Sequence, residues 1–396
     1  MSAASAAELA DALPATTAVL ERGRREGLHP GAQVYVSLAG EPVADGALGE
    51  ARDGVPMTAD QMVIWWSMTK ATVAVSIAQL WERGRLALDD PVARHLPAFG
   101  ANGKDRITIR HCLTHTGGFR TGDAAMRSAV EAGTAGDPDR WWDETIAAVC
   151  AVVPEPGWVP GERAGYHLGC SMAVLGEVVR RVDGRRFSDY VREEVFLPLG
   201  MEDCWVGMPP AEAARYGDRL GTMFDTAHGG RTPLDRLDTG AALARCSPGG
   251  GGRGPMRQLG RLYEALAGHG TRAGTRILGE QTVDAVTARH RVAMRDETFG
   301  VVIDWGLGFA VDTGAMGRHC SRRAFGHGGA QSSQAFCDPE HGLVAAIQTN
   351  GMCGNTLHYQ RLAQVWDALY EDLGLADPSD PGRHKPLPGG ATMATA

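Results

Sequence analysis

Residues 67–83 form an unusually apolar stretch, and it sets the strongest constraint on how this chain folds. Drawn as a helix, this stretch has almost no polar face. Its apolar residues are Ala71, Val73, Ala74, Val75, Ile77, Ala78, Leu80 and Trp81. A helix that is apolar all round is buried, so the stretch predicts a helix at the centre of a sizeable core. Gly84 follows where a glycine commonly ends a helix. Ser67 and Lys70 would lie in the first turn of this central helix.

Lysine is scarce in this chain, and one lysine stands three places after a serine. Of the 39 Lys and Arg residues, three are lysine, and Lys70 is one of them. A guanidinium group keeps its proton in a protein whereas an ammonium can lose it, and residues three apart share a helix face. We therefore predict Ser67 as a nucleophile that Lys70 activates. The alternative is that Ser67 or Thr69 caps the helix and that Lys70 is a solvated side chain.

The composition is that of a soluble globular protein long enough for two lobes, with 396 residues, 43% of them hydrophobic and 22% charged. A net charge of -8 argues against a general nucleic-acid or membrane-surface partner. No run approaches the roughly 18 apolar residues of a membrane span. The N-terminus lacks the pattern of a secretory leader, and the eight scattered cysteines include no Cys-x-x-Cys pair. We expect reduced thiols and a cytoplasmic location.

The order of patterns along the chain predicts an α/β (α+β) fold. Strand-like alternation occurs at 33–38 and 41–49, and again late, at 323–327 and in a hairpin formed by 333–337 and 343–348. Residues 362–373 then repeat at helical spacing. We predict an antiparallel sheet flanked by helices, with an inserted all-helical lobe. The sheet-containing lobe would comprise 1–95 and 256–375, the helical lobe 96–255, and a mobile tail 376–396.

Serine acyl transfer also needs a group that passes a proton to the leaving group, together with two N–H donors for the oxyanion. Tyr166, in the loop Gly-Tyr-His-Leu-Gly at 165–169, is the best candidate for the proton work if nearby cations lower its pKa; the alternative is a structural tyrosine. Further on, a histidine precedes three small residues that let a substrate lie along the backbone: His327, Gly328, Gly329 and Ala330. The N–H groups of Ala330 and Ser67 would form the oxyanion hole. The alternative for His327 is a surface histidine in a glycine turn.

Three other patterns are weaker signals. The glycine run at 249–254 lacks the ending of a P-loop, so it predicts a tight turn with close backbone approach. His111 and His115 lack the helical context of a zinc site, and the chain has no Gly-x-Ser-x-Gly elbow. We expect no metal and no cofactor.

Taken in order, Ser67-x-x-Lys70, the Tyr166 loop and His327-Gly-Gly resemble the three signatures of the serine β-lactamase and penicillin-binding-protein superfamily, in particular its class C-like branch. Residues 113–118, 196–201 and the hairpin after His327 are similar to that branch as well. The resemblance covers roughly residues 15–375. It implies that Ser67 is acylated, that Lys70 and Tyr166 share proton transfer, and that His327 replaces the Lys or His of the family.

One departure from the family pattern narrows the expected chemistry. β-Lactamases and peptidases of this branch usually carry Tyr-x-Asn, whereas the third position here is Leu168, which cannot hydrogen-bond a substrate amide. Loops of the form Tyr-His-x resemble those of the esterases and acyltransferases of the branch, including natural-product transacylases, and His167 is grouped here with the substrate-binding residues.

We therefore expect a serine enzyme that moves an acyl group from a small ester, through Ser67, to water or to an amine or alcohol, plausibly in natural-product metabolism. One alternative is a β-lactamase or D-amino-acid peptidase, and another is a binding protein of the same fold without chemistry. The sequence leaves the acyl donor, the acceptor and the oligomeric state open.

Overall fold

The computed structural model describes residues 6–131 and 137–376, together with Ser379, Arg383 and Leu387. The strands of the described chain are β1 Gly31–Leu38, β2 Glu41–Arg52, β3 Val55–Pro56, β4 Val63–Ile64, β5 Trp205–Val206, β6 Phe224–Asp225, β7 Thr232–Pro233, β8 Gly252–Gly254, β9 Thr271–Arg272, β10 Thr275–Arg276, β11 Asp304–Trp305, β12 Ala310–Val311, β13 Phe325–Gly329, β14 Ser333–Asp338, β15 Leu343–Thr349 and β16 Gly351–Met352.

The α-helices of the same part of the chain are α1 Ala6–Ala12, α2 Pro14–Arg25, α3 Lys70–Glu82, α4 Val92–His95, α5 Ile109–Leu113, α6 Thr121–Glu131, α7 Pro138–Ala151, α8 Cys170–Asp183, α9 Phe187–Val191, α10 Pro210–Tyr216, α11 Gly240–Ala244, α12 Met256–Ala267, α13 Glu280–Thr287 and α14 Asn355–Asp372. A π-helical turn, Arg192–Phe196, continues α9, and short 3-10 turns join several of the other elements.

The main sheet of the described chain has eight strands in the order β11-β12-β13-β14-β15-β1-β2-β3. Its neighbouring strands pair antiparallel throughout. β14 and β15 form the predicted hairpin, in which Ser333 pairs with Gln348 and Asp338 with Leu343. The predicted α/β class with an antiparallel sheet and flanking helices is confirmed.

The two faces of the sheet are covered by different helices because side chains of a strand alternate between faces. On β1, Tyr35 points into a large core that includes α3, α8 and α12. Its neighbours Val34 and Val36 point the other way, into a smaller core formed with α2 and α14. The predicted closing helix is therefore confirmed as α14, and it begins earlier than residue 362, at Asn355.

The apolar stretch at 67–83 is buried as predicted, and every residue from Lys70 to Leu80 lies inside the protein. The α-helix begins at Lys70, however, and Ser67 lies on a preceding 3-10 turn, Trp66–Thr69. Gly84 has a left-handed φ of 66° and its N–H donates to the Trp81 carbonyl at 2.9 Å, so it ends the helix as expected. Serine and lysine thus belong to two consecutive helical turns.

The predicted division into a sheet-containing lobe and a helical lobe stays a prediction. The predicted mobile tail at 376–396 lies outside the described residues, apart from Ala376, Ser379, Arg383 and Leu387. Arg383 is bound to the body of the protein, since its Nη1 donates to the Asp312 carboxylate at 2.7 Å. Within the described ranges, no helix combines the length and the apolar character that crossing a membrane requires.

The contact between α12 and β1 gives a prediction about stability. A Cβ on Gly260 would overlap the ring of Tyr35, whose side chain is buried. Gly260→Ala should therefore lower the free energy of unfolding by about 1–3 kcal/mol, as overpacking of a core does. Urea denaturation would measure this loss. Gly240→Ala is the control, because a Cβ on that helical glycine meets no atom within 4 Å. An equal effect of the two substitutions would contradict the proposed overlap.

Candidate active site

The turn that carries Ser67 is held in place by strand β8. Trp65 donates its N–H to the Gly252 carbonyl at 2.8 Å and its Nε1–H to the Gly254 carbonyl at 2.9 Å. A Cβ on Gly252 would lie 2.6 Å from the Trp65 ring, so glycine is needed for this approach. Trp66, directly before Ser67, has a left-handed φ of 50°. Such a conformation persists where its surroundings fix it, and here β8 does so.

Lys70 is fully buried and its Nζ has three oxygen neighbours. It lies 2.9 Å from Ser67 Oγ, 2.6 Å from the Leu168 carbonyl oxygen and 2.7 Å from the Gly249 carbonyl oxygen. A neutral amine has two N–H groups and one lone pair. Because a carbonyl can only accept, the two carbonyls take both N–H groups. The lone pair then faces the Ser67 hydroxyl, which can donate its proton to Nζ.

Burial is the main influence on the charge of Lys70. It lowers the pKa of the Lys70 ammonium from 10.5 to about 7, while the Asp123 carboxylate and Cys170 oppose the lowering. Removal from water disfavours a charged amine. A substantial fraction of Lys70 is therefore the neutral amine near pH 7, which is the form that can accept a proton.

Tyr166 lies against the same two side chains. Tyr166 lines the same cavity as Ser67, and Lys70 Nζ is 4.9 Å from the centre of its ring. Burial raises the pKa of the Tyr166 phenol above its usual value, so the condition that nearby cations lower this pKa is not met. Tyr166 is therefore a neutral phenol that can both donate and accept a hydrogen bond, and its ring face favours the ammonium form of Lys70.

The main chain of Tyr166 is fixed by a neighbouring loop. Its N–H donates to the Asp296 carboxylate at 3.1 Å, and the Thr298 hydroxyl donates to its carbonyl at 2.9 Å. Asp296 in turn forms a buried ion pair with Arg291 at 3.1 Å. No local pattern indicates this support, because Asp296 lies 130 positions from Tyr166 in the chain.

His327 faces the site as a neutral hydrogen-bond acceptor. Its Nδ1 lies 2.7 Å from the Gly328 carbonyl, and a carbonyl only accepts, so Nδ1 carries the proton. Burial lowers the pKa of the imidazole to about 3, and Lys70 adds to this lowering. Nε2 is buried and has no hydrogen-bond partner within the described residues. A bare lone pair is therefore available to a donor from a bound molecule.

The small residues after His327 lie where the sequence predicts them, beside the Ser67 turn. A Cβ on Gly329 would lie 2.6 Å from the Trp65 carbonyl oxygen, whereas a Cβ on Gly328 would make an ordinary contact with the Ser333 carbonyl oxygen at 3.7 Å. Gly328, Gly329 and Ala330 line the same cavity as Ser67. Their position is compatible with the predicted oxyanion donors, the N–H groups of Ser67 and Ala330, and that pair stays a prediction.

The cavity in front of Ser67 has a volume of about 110 Å³ and a mainly apolar wall. The wall includes Leu168 and Trp305, and the other apolar lining residues are Phe299, Ile303, Ala310, Ala315, Met316 and Leu362. Polar groups come from Gln331 and Gln334 and from the start of α14, with Asn355, His358 and Tyr359. These groups of α14 close the polar side of the cavity.

Two of the predicted site residues do not line the cavity. Lys70 sits beneath the cavity rather than in its wall, and His167 is fully buried away from it, with its Nε2 accepting the Phe119 N–H at 3.3 Å. His167 therefore packs behind the loop instead of meeting a substrate. No motif indicates that the Gly249 carbonyl is a partner of Lys70, although the glycine run at 249–254 did predict close backbone approach. A Cβ on Gly249 would lie 2.7 Å from Gly169 Cα.

Comparisons with known proteins agree on one family. The family model described as Beta-lactamase matches residues 16–370. Esterase/beta-lactamase LipL of Mycobacterium tuberculosis is 29% identical over 354 residues, covering 83% of this chain and 78% of LipL. Esterase EstB of Burkholderia gladioli is 30% identical over 369 residues, covering 85% of this chain and 91% of EstB.

A solved structure shares the fold over nearly the same range. A family VIII carboxylesterase superposes with a TM-score of 0.76 at 26% identity, and the match covers 91% of this chain and 97% of the carboxylesterase. The described fold and the order of the three motifs agree with this similarity. The chain belongs to the beta-lactamase family and is an enzyme with the serine-hydrolase form of that fold.

Proposed function

We propose that this enzyme is an esterase or transacylase that moves an acyl group from a small ester, through Ser67, to water or to an alcohol or amine. The observation that carries the proposal is the environment of Lys70 Nζ. Nζ lies 2.9 Å from Ser67 Oγ and within hydrogen-bond distance of two carbonyl oxygens, so in the neutral amine the carbonyls take both N–H groups and the lone pair is left for the Ser67 hydroxyl. This is the geometry that a general base needs to activate a serine hydroxyl.

In the proposed acylation, the Lys70 amine takes the Ser67 proton while Oγ bonds to the ester carbonyl carbon. The resulting oxyanion faces the Ser67 and Ala330 N–H groups. As the tetrahedral intermediate collapses, the Tyr166 hydroxyl gives its proton to the leaving alcohol, and the Lys70 ammonium restores a proton to Tyr166. The acyl group is then on Ser67, and water or a second alcohol or amine attacks it by the reverse sequence.

The lining of the cavity supports an ester substrate over a β-lactam. Leu168 is 37% exposed and lines the cavity, so no side-chain amide is offered there to a lactam or peptide. A cavity of about 150 Å³ accepts one benzene molecule. The 110 Å³ found here therefore suits a group of about four carbon or oxygen atoms. The names of EstB and of the structural relative also indicate esters.

The proposed setting is the cytoplasm. Seven of the cysteines are free thiols, as is usual in a reducing compartment, and they are Cys112, Cys150, Cys170, Cys204, Cys246, Cys337 and Cys353. We include a natural-product pathway in the proposal because the Tyr166 loop has the Tyr-His-x form and resembles the loops of natural-product transacylases. A β-lactamase or D-amino-acid peptidase is the second candidate, and the name of LipL includes the first of these two activities, β-lactamase.

Removing the Ser67 hydroxyl should abolish the acyl-enzyme. We expect wild-type protein to gain the mass of one acyl group on incubation with short p-nitrophenyl esters, and Ser67→Ala to gain none. Intact-mass spectrometry with and without an alcohol or amine would measure both labelling and transfer. Ser76→Ala is the control, because Ser76 is buried in α3, which follows the Ser67 turn, and its hydroxyl donates to the Thr72 carbonyl at 2.8 Å.

Labelling that persists in Ser67→Ala would contradict the nucleophile assignment. Turnover of nitrocefin or of D-Ala peptides, faster than that of the esters, would favour the second candidate function. A wild-type protein that gains no mass with any of these compounds would instead indicate a binding protein of the same fold.

The acylation rate should depend on pH through Lys70. Because its pKa is about 7, the amine predominates above that pH and the ammonium below it. kcat/KM should therefore rise with pH and be about tenfold lower at pH 6 than on the plateau. Lys70→Arg should lose nearly all activity, because arginine keeps its proton. Lys104→Arg is a matched control, since Lys104 is also buried and donates to the Ala101 and Cys150 carbonyls at 3.0 Å.

His327 should favour neutral substrates with a hydrogen-bond donor over carboxylates, because its Nε2 offers a lone pair. His327→Lys replaces that acceptor with a cation. The ratio of kcat/KM for an ester with a free carboxylate to that for a neutral ester of equal length should rise about tenfold or more. His327→Gln, which keeps an acceptor, should leave the ratio close to wild type. An equal ratio in the two variants would refute the acceptor role.

A further inference from the structure

Asp123, in the first turn of α6, binds a distant segment of the main chain through its carboxylate. Oδ2 accepts the Leu168 N–H at 2.7 Å, and Oδ1 accepts the N–H groups of Gly169 and Cys170, each at 2.8 Å. The side chain of Asp123 is buried. Three charge-assisted hydrogen bonds thus join α6 to the end of the Tyr166 loop and to the first residue of α8.

These N–H groups belong to the start of α8, where a helix has donors without partners. The residue at the N-cap position is Gly169, which has no side chain to accept them. Asp123 performs that task from another helix. Its negative charge also interacts favourably with the positive end of the α8 dipole.

The same bonds determine where the Leu168 carbonyl points. In a trans peptide the C=O of one residue and the N–H of the next point in opposite directions. Since the Gly169 N–H points to Asp123, the Leu168 C=O points away from Asp123, and it accepts the Lys70 Nζ–H at 2.6 Å. One peptide group therefore lies between the Asp123 carboxylate and the Lys70 amine, with its dipole aligned to both.

Asp123 also supplies a negative charge near Lys70. It raises the pKa of the ammonium, against the larger lowering caused by burial. The other titratable groups that act on Lys70 or lie against it are neutral near pH 7. Burial raises the pKa values of the Cys170 thiol and the Tyr166 phenol, and burial lowers those of the imidazoles His115 and His327.

We propose that Asp123 is a positioning residue for the proposed reaction: through the Leu168–Gly169 peptide it orients the Lys70 amine toward Ser67, and it supplies the carboxylate charge that balances the ammonium when Lys70 has taken a proton. The inference rests on the function proposed above. It explains how this chain holds Lys70 with an apolar side chain at Leu168, because the main chain of that residue, fixed by Asp123, provides the acceptor.

Asp123→Asn tests the proposal. The amide keeps one acceptor oxygen and places an NH₂ group against main-chain N–H donors, so the peptide loses its alignment. Without the carboxylate charge, the pKa of Lys70 should fall by about one unit. The acid limb of the kcat/KM profile should move to lower pH by the same amount, and the plateau should fall about tenfold or more. If Asp123 had only a structural role, the substitution would lower the stability and the rate but would not shift the acid limb of the kcat/KM profile.

The scarcity of lysine allows a second readout that does not require activity. With three lysines in the chain, NMR titration of protein labelled with ε-carbon-13 lysine gives the pKa of Lys70 directly, and Lys104 is an internal control. The matched variant is Asp338→Asn, which changes a buried carboxylate that accepts the Ser321 N–H at 2.8 Å and the Tyr370 hydroxyl at 2.7 Å.

A lower pKa of Lys70 in Asp123→Asn, with no change in Asp338→Asn, would support the proposal. An unchanged pKa of Lys70 in Asp123→Asn would overturn it, whatever the activity of the variant. If the wild type forms no acyl-enzyme and the pKa of Lys70 still falls in the variant, the proposed function fails while Asp123 is supported as the residue that sets the charge of Lys70.

Discussion

The burial of one amine beside one hydroxyl is the constraint on which this site depends. A buried ammonium is unfavourable unless it is paired or hydrogen-bonded, and burial is the main reason why the pKa of Lys70 falls to about 7. The fold can keep Lys70 inside because two main-chain carbonyls accept from its Nζ. The same burial that would destabilise a cation makes the amine a base near neutral pH. Stability and reactivity therefore oppose each other at this residue.

The two carbonyls reach Lys70 from different parts of the chain, and small residues make this possible. Gly249 packs against Gly169 so closely that a Cβ on Gly249 would lie 2.7 Å from Gly169 Cα. Gly252 in β8 and Gly329 in β13 allow those strands to approach the turn that carries Ser67. A side chain at any of these glycines would move a carbonyl, a strand or the turn. Since Lys70 is held by distances of 2.6 to 2.9 Å, such shifts would change the site before they unfolded the protein.

Elements whose signals are local could be predicted from the sequence, and contacts between distant elements could not. The all-apolar pattern of α3 and the alternation of β14 and β15 require burial and pairing that any compact fold would provide. The order of Ser67, Lys70, Tyr166 and His327 indicated the family because these motifs are specific. Asp123 gave no signal, because an acidic residue in the first turn of a helix is ordinary. Its role depends on α6 lying against the start of α8.

The protonation states of the site residues could not be predicted from the sequence either, because burial determines their pKa values. Tyr166 was expected to need a lowered pKa, whereas burial raises it, and His327 stands where a cation is common in the family yet is neutral. The scarcity of lysine did not by itself indicate that Lys70 is a base. Lys104 is as buried as Lys70 and serves to bind main-chain carbonyls, with no serine among the acceptors of its Nζ. What distinguishes Lys70 is the hydroxyl at 2.9 Å.

The neutrality of the groups around Ser67 bears on which acceptor can compete with water in the proposed transfer. An alkylamine has a pKa near that of free lysine, about 10, so near pH 7 it arrives as an ammonium. It must then lose both its water and its proton in an apolar cavity that lies next to Lys70. An alcohol enters without charge, and its O–H can donate to the bare Nε2 of His327 or to the Lys70 amine. In the proposed transfer, a small neutral alcohol should therefore be a better acceptor than an amine of the same size.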